Sequence, residues 1–420
     1  MRVYKFGGSS VQDVDRIKNV VNILESVDEP IIVVVSAMGK TTNAIEQAIK
    51  LAFAQKEDSA KEAWKTICQN HIDLSKDLDC EDHCHAHLEK YHSQGQSILD
   101  TYSRKDRDEL YDQLISLGEL MSSTILTGSM ILADLKAVRV DAREMIKTDA
   151  QFRSANINWG ATEDAVKEVI NTVGDGVQYV VTQGFIGREP KGRTTTLGRE
   201  GSDYTAAIIS YCMDGESMSV WKDVPGVLTA DPRLFPDATL LPRLSYREAI
   251  EMTYYGAQVI HPKTIQPIQR KEIPLFVKSF LDPNSKGTEI SKVGAALYPP
   301  MIVVTKDQYL LEFSSRDFSF IAESHLSMLF RRFNHYRIRV NLMRNTAISF
   351  TVCVSAERDR LDALKVDLSE AFQIKEREGL ELLTVRNYNN STIDFLKKGR
   401  SVVFEEIQDV TFQMVTTKEG

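Results

Sequence analysis

Val3-Tyr4-Lys5-Phe6-Gly7-Gly8-Ser9-Ser10-Val11 decides how the chain begins to fold. Val3 to Phe6 reads as a short strand, Gly7 and Gly8 end it, and apolar residues then recur at helical spacing from Val11 to Leu24. The next apolar run, Ile31 to Val35, is continuous and β-branched, as in a strand buried on both faces. Strand, helix, strand in this order marks an α/β chain whose sheet is largely parallel and covered on both sides. From about Glu57 to Asp134 the sequence turns charged and helical with few Gly or Pro, a helical excursion between strands; strand-like segments resume at Ala137 to Asp141 and Gln178 to Thr182.

The 420 residues are 42% hydrophobic and 26% charged, enough for two or three domains with separate cores. A formal net charge of -8 argues against nucleic acid as a partner, because binding a polyphosphate requires a basic surface. No uninterrupted apolar run approaches the ~18 residues of a membrane span. Nor does the start, Met1-Arg2-Val3-Tyr4, have the basic-then-apolar order of a signal peptide. A cytoplasmic protein without membrane partners is expected. Five cysteines, odd in number and irregularly spaced, read as reduced thiols. Cys80, His83, Cys84, His85, His87 and His92 lie close together, but inside a charged helical stretch and without a second ligand pair, so no metal site is expected.

Asp282-Pro283-Asn284-Ser285-Lys286-Gly287 and Tyr298-Pro299-Pro300 interrupt the pattern. Three segments are expected: 1–297, 301–377 and 378–420. The middle one reads as strand Leu310 to Ser314, helix His325 to Tyr336, strands Arg339 to Arg344 and Ile348 to Ser355, helix Leu361 to Phe372, then extended residues near Ile374. That order, βαββαβ, is the ferredoxin-like unit. A second copy starts with strand Leu382 to Tyr388, helix Thr392 to Lys397 and strands Val402 to Ile407 and Val410 to Val415, one helix and one strand short. Such a sheet has an open edge, expected to be covered by a second subunit or by the first module.

Lys5 and the Gly7-Gly8 turn form a possible anion cradle, with bare backbone and a helix start beside a point charge, although a simple tight connection would look the same. Gly39-Lys40-Thr41 resembles the end of a P-loop, but Val34 stands where that motif demands glycine. The hydroxyl-rich loop Ser36 to Asn43 lies where open α/β sheets bind ligands; it reads equally as a helix start capped by Thr41 or Thr42. Glu119 sits among the small residues of a helix, Ser116 to Ser123, which admit close approach of another backbone. In Thr194 to Ala207, Arg199 can grip a carboxylate bidentately, and Ser202 or Asp203 begins a helix whose N-terminus favours anions. Trp221 to Arg233 is a strand ending in turn residues with acids and cations close by, suited to a nucleotide or to an ordinary loop.

Taken in order, Lys5 to Val11, Ser36 to Asn43, Ser116 to Met121, Thr196 to Ala206, Trp221 to Arg233 and Gly256 to Pro262 resemble the motifs of aspartate kinases, within the amino acid kinase superfamily. The tail resembles the ACT domains of that family. The resemblance implies a three-layer sandwich with a mostly parallel sheet, followed by ferredoxin-like ACT modules, the second truncated. It implies transfer of the γ-phosphoryl group of ATP, with Mg²⁺, to the side-chain carboxylate of L-aspartate. The product, 4-phospho-L-aspartate, opens the routes to lysine (through diaminopimelate), threonine and methionine.

Carried over by position, the resemblance gives Lys5 and Asp203 catalytic roles. It assigns Ser36, Thr42, Glu119, Phe185, Arg199 and Ser202 to aspartate, with Glu119 meeting the α-ammonium and Arg199 clamping the α-carboxylate. Lys5, Gly7, Gly8, Ser9, Lys222, Asp223, Leu228, Arg233 and Gln258 fall to ATP. Three positions depart from the family: Glu200 where glycine is common, Gln258 where lysine is frequent and Leu228 where tyrosine is frequent. Lysine-inhibited relatives present acids to the effector where this chain has Asn341 and Ala347, which argues against lysine as its effector. An amino-acid effector at the ACT region and a homodimer or larger assembly are implied. The competing readings are a kinase of glutamate, acetylglutamate or carbamate, and a non-catalytic amino-acid sensor built on a disabled kinase domain.

Overall fold

The computed structural model describes residues 1–102, 106–174, 176–257, 260–316 and 319–417, so Gln258 lies outside the described residues. The chain begins as expected: β1 (Arg2–Phe6), a 3-10 turn at Gly8–Val11, α1 (Val14–Glu25) and β2 (Ile31–Val35). Ser9 and Ser10 fall inside the 3-10 turn, and the cap of α1 is Asp13, whose Oδ1 accepts a hydrogen bond from Arg16 N at 2.9 Å. α2 (Thr41–Phe53) follows without a side-chain cap. The helical excursion comprises α3 (Glu57–Asp77), α4 (Glu81–Thr101) and α5 (Arg107–Leu132). α5 is long and apolar enough to cross a bilayer, but 94% of its most apolar stretch is buried inside the protein. It is a core helix.

The unit continues with β3 (Ala137–Val140), α6 (Ala142–Met145), α7 (Trp159–Thr172), β4 (Tyr179–Gln183), β5 (Ile186–Arg188), β6 (Thr194–Thr196) and α8 (Gly201–Cys212). Then come β7 (Ser217–Lys222), β8 (Arg243–Ser245), α9 (Tyr246–Tyr254), α10 (Pro262–Arg270), β9 (Leu275–Ser279) and β10 (Thr288–Ser291). Eight strands form one sheet in the order β3-β4-β2-β1-β7-β9-β10-β8, parallel except between β9 and β10. β2 and β4 are buried at every position, which is why β2 runs apolar without alternating and β4 does so as far as Val181. Register pairs Phe6 with Val35 and Trp221, and Val35 with Gln183. The residues just beyond, Gly7, Ser36, Gly184 and Lys222, therefore emerge together at the carboxyl end of the sheet.

The chain divides into two compact units: Met1–Val227, Leu240–Ile250 and Val259–Ala295 form the first, and Leu228–Thr239, Glu251–Gln258 and Ala296–Gly420 the second. The second contains β11 (Met301–Ser315), α11 (Glu323–His335), β12 (Arg339–Asn345), β13 (Ser349–Ser355), α12 (Arg358–Leu368), β14 (Phe372–Arg386), α13 (Asn390–Lys397), β15 (Val402–Gln408) and β16 (Thr411–Thr417). Its six-stranded sheet runs β12-β13-β11-β14-β16-β15.

β11 and β14 are 15 residues each and pair antiparallel along both halves. Leu310–Ser315 pairs with Phe372–Arg377, completing the expected βαββαβ unit; Met301–Thr305 pairs with Leu382–Arg386. Register shifts between Thr305 and Leu310 separate the two halves. The expectation of a second module one strand short is thereby corrected. Its missing strand is Met301–Thr305, contributed by the start of the 301–377 segment, which covers the edge that chain order left open, as one of the two expectations had it.

Two further features belong to this unit. The loop Leu228–Thr239 lies on the sheet: Ile302 N donates to Thr229 O at 2.7 Å, and Phe235 packs against a cluster containing Leu383, Val385, Phe412 and Met414. Asn341 Nδ2 donates to Gln308 Oε1 and to Ser355 Oγ, each at 2.7 Å.

Candidate active site

Lys5 is buried near the end of β1, and its Nζ lies 2.7 Å from Asp203 Oδ1 in the first turn of α8. Lys222, at the end of β7, reaches within 4.0 Å of Oδ2 of the same carboxylate. Burial pushes the Asp203 carboxyl up, but Lys5 and then Lys222 outweigh it and hold the group below its usual range. Asp203 is therefore ionised at neutral pH and fixes the ammonium of Lys5.

The Gly7-Gly8 turn beside Lys5 is in backbone contact with the loop after β2. Gly39 N donates to Gly8 O at 2.9 Å, and a Cβ on Gly8 would lie 2.5 Å from Ala37 O. No side chain fits there. Arg16 of α1 donates to Ser9 O at 2.8 Å and to Asp223 Oδ1 at 3.0 Å, joining the glycine turn to the end of β7. Asp223 is thus already engaged by a cation. Nothing local to Arg16 in the sequence signals that role.

Glu119 approaches from α5. Its carboxylate is buried, Oε2 has no hydrogen-bond partner among the described residues, and burial pushes the carboxyl up to about 8 against the opposing pull of the Ala37 backbone and Lys5. α5 is tied to the strand ends by Ser122 Oγ, which donates to Ser36 O at 2.7 Å, and by Gln183 Nε2, which donates to Ser123 Oγ at 2.6 Å. A Cβ on Gly118 would lie 3.1 Å from side-chain atoms of Thr41 and Ile45, so this glycine admits the start of α2, where Thr42 sits.

The turn from β4 to β5 presses on α8. A Cβ on Gly184 would lie 2.4 Å from Ser202 Cβ, and one on Gly201 would lie 2.6 Å from the Phe185 ring. Phe185 adopts φ +72°, a left-handed conformation costing a bulky residue on the order of 1 kcal/mol or more, held by Phe185 N donating to Thr205 Oγ1 at 2.9 Å. Glu200, the N-cap of α8, is also left-handed at φ +54°; its Oε2 accepts from His261 N at 3.0 Å. The acid standing at a glycine position is thus directed to the start of α10. Arg199, next to it, is exposed and makes no ion pair or hydrogen bond with the other described residues.

Leu228 and Arg233 belong to the second unit, where Arg233 Nε and Nη2 donate to the two oxygens of Asp231 at 3.0 and 2.7 Å. The Cys80 and Cys84 thiols are buried, 3.7 Å apart, while His83, His85 and His87 are exposed. No group of three or more His, Cys, Asp or Glu that could hold a metal ion occurs among the described residues.

Sequence reasoning missed Asp112, a buried acid of α5. Its Oδ2 accepts from Arg153 N at 2.9 Å and Thr196 N at 2.8 Å, and its Oδ1 from Thr196 Oγ1 at 2.8 Å; burial pushes the carboxyl up to about 6. An acid followed by Gln113-Leu114-Ile115 in a core helix was the available signal.

A parallel sheet with a lysine-acid pair and a glycine cradle at its carboxyl end fits a phosphoryl-transfer fold. Residues 1–279 match the amino acid kinase family, and the chain belongs to that family. Lysine-sensitive aspartokinase 3 of Escherichia coli is 30% identical over 394 residues, covering 91% of this chain and 86% of its own. The crystal structure of E. coli aspartokinase III in complex with lysine and aspartate has a TM-score of 0.84 at 27% identity, covering 99% of this chain and 95% of that one. The same enzyme in complex with aspartate and ADP has a TM-score of 0.79 over 99% and 96%. Within its family, the chain stands among the aspartokinases.

Proposed function

We propose that the protein is an aspartate kinase, transferring the γ-phosphoryl group of ATP to the β-carboxylate of L-aspartate at the first step toward lysine, threonine and methionine. The observation that carries this reading is the buried Lys5-Asp203 pair at the mouth of the sheet, beside a Gly7-Gly8 turn that exposes only backbone.

A carboxylate nucleophile is already ionised at neutral pH, so no general base is required. The obstacle is repulsion between two anions. Lys5, fixed by Asp203, neutralises charge on the transferring group, and the backbone of Gly7, Gly8 and Ser9 donates to phosphate. In this reading Lys222 and Asp223, at the end of β7, serve the nucleotide on the same unit. Mg²⁺ would come with ATP as part of the substrate and would add to the charge neutralisation that Lys5 supplies.

Arg199 and the Glu119 Oε2, both without a partner among the described residues, receive the α-carboxylate and the α-ammonium of aspartate respectively. Ser36, Thr42, Ser202 and the strained Phe185 border the acceptor. A free α-amino acid suits this pair better than carbamate or an acetylated substrate, which lack the ammonium. Competition between aspartate and glutamate tests the choice of acceptor.

The same reading places the enzyme in the cytoplasm as a homodimer or larger assembly of kinase and ACT-like modules, testable by sedimentation. It also argues against lysine as the effector: Asn341, the residue at the expected acidic position, spends its amide on Gln308 and Ser355. Activity titrated with lysine should stay flat, and half-inhibition at millimolar lysine would reject this point. For the activity itself, a coupled assay with Mg²⁺ should detect ADP only when aspartate is added; no aspartate-dependent ADP formation would reject the assignment.

A further inference from the structure

Asp112 leaves the same face of α5 as Glu119, seven residues later, about two turns or roughly 10 Å along the helix. Its carboxylate holds two pieces of backbone at once, Thr196 at the end of β6 and Arg153 in the preceding loop. The next residue repeats the device: Gln113 Nε2 donates to Thr194 O at 2.8 Å, and Thr194 N donates to Gln113 Oε1 at 3.3 Å. Side chains of α5 thereby pair with β6 much as a neighbouring strand would.

β6 runs directly into Leu197, Gly198 and Arg199. Gly198 turns there with φ +77°, and a Cβ on it would lie 3.2 Å from Arg153 O. Ala155 N donates to Thr196 O at 2.9 Å, and the Arg153 guanidinium lies 4.1 Å over the Tyr111 ring. The Asp112 carboxylate is thus the group that joins both backbone segments leading to Arg199, Thr196 and Arg153, to α5.

We propose that Asp112 is a positioning residue of the acceptor site: it fastens the Arg199 loop to the helix that carries Glu119, and so sets the span between the groups that grip the acceptor's carboxylate and ammonium. This rests on the roles proposed above for Arg199 and Glu119. Asparagine can reproduce the bonds, offering its oxygen to the two N–H groups and its amide to Thr196 Oγ1, which turns to accept. Alanine leaves both N–H groups, the buried one of Thr196 and the part-buried one of Arg153, without this acceptor.

Steady-state kinetics of the full chain, with aspartate and ATP varied separately, test the proposal. Asp112→Ala should raise the aspartate KM tenfold or more and leave the ATP KM within twofold, and Asp112→Asn should recover most of the loss. If Asp112→Ala does not fold, Thr196→Val, which removes the hydroxyl bond alone, should still raise the aspartate KM about threefold. Equal rises in both KM values, or no rise in the aspartate KM, would overturn the positioning role. Arg199→Ala is the control: if it leaves the aspartate KM unmoved, the acceptor-site reading itself falls and takes this proposal with it. If it raises that KM and Asp112→Ala does not, only the role of Asp112 fails.

Discussion

At the carboxyl end of the parallel sheet the charged groups, several of them buried, are imperfectly matched, whereas in the C-terminal unit most ion pairs lie at or near the surface. Lys5 and Lys222 meet a single carboxylate, Glu119 keeps a bare oxygen, and Arg199 has no partner among the described residues. In the C-terminal unit Arg358 faces Asp362, Glu376 and Glu378, Lys365 faces Asp362 and Glu376, Lys375 faces Glu312, and Lys397 faces Glu405. Leaving a charge buried without its counterpart costs stability, so it persists where a ligand supplies what is missing. Surface pairs carry no such implication, because solvent and mobile ions would satisfy either partner alone.

The largest test of that contrast is Lys5→Ala. Removing the buried cation should lower kcat by about 100-fold or more, on the scale of losing one preorganised electrostatic contact. Full activity in this variant would dissolve the catalytic assignment.

Arg199→Ala should come next. A hydrogen bond to a charged group contributes about 1.5–3 kcal/mol, so the aspartate KM should rise roughly 10- to 150-fold while the ATP KM stays put.

Glu119 gives a smaller effect with a definite sign. Its carboxyl titrates near 8 in the folded protein and near the ordinary carboxylate value when unfolded. Between those two values the unfolded chain has released a proton that the native protein still holds, so stability falls as pH rises through that window. Urea unfolding without substrate should show Glu119→Gln losing less than the parent between pH 5 and pH 8, by on the order of 2 kcal/mol. Parallel pH curves would mean that the carboxylate is solvated or paired after all.

Smallest of all should be Arg358→Ala, which breaks three ion pairs at the surface. Its unfolding midpoint should match that of the parent, and a large drop would erase the distinction between the two regions.

Much of the first unit was legible because its signals are local. Continuous apolar strands such as Ile31 to Val35, the Gly7-Gly8 break beside Lys5 and the small residues around Glu119 each declare themselves within a few positions. The doubled strands β11 and β14 did not: the strand was read only from Leu310, and Met301–Thr305 finds its partner only at Leu382–Arg386. Arg16 and Asp112 were hidden for the same reason: each reaches a partner distant in sequence, the Asp223 carboxylate for Arg16 and the Thr196 and Arg153 backbone for Asp112, and neither residue type announces that. Glu200 was visible as an oddity, but its left-handed backbone and its bond to His261 N are properties of the assembled site.

The strand exchange in the C-terminal sheet also sets a timetable for synthesis. Met301–Thr305 leaves the ribosome first, yet must wait for Leu382–Arg386, a delay on the order of ten seconds at ordinary elongation rates. Throughout that interval the first module can close around its own hydrophobic core while the waiting segment stays single, an apolar ribbon open to any neighbouring nascent chain. Slowing translation between residues 316 and 380 should therefore lower the soluble yield without altering the finished enzyme.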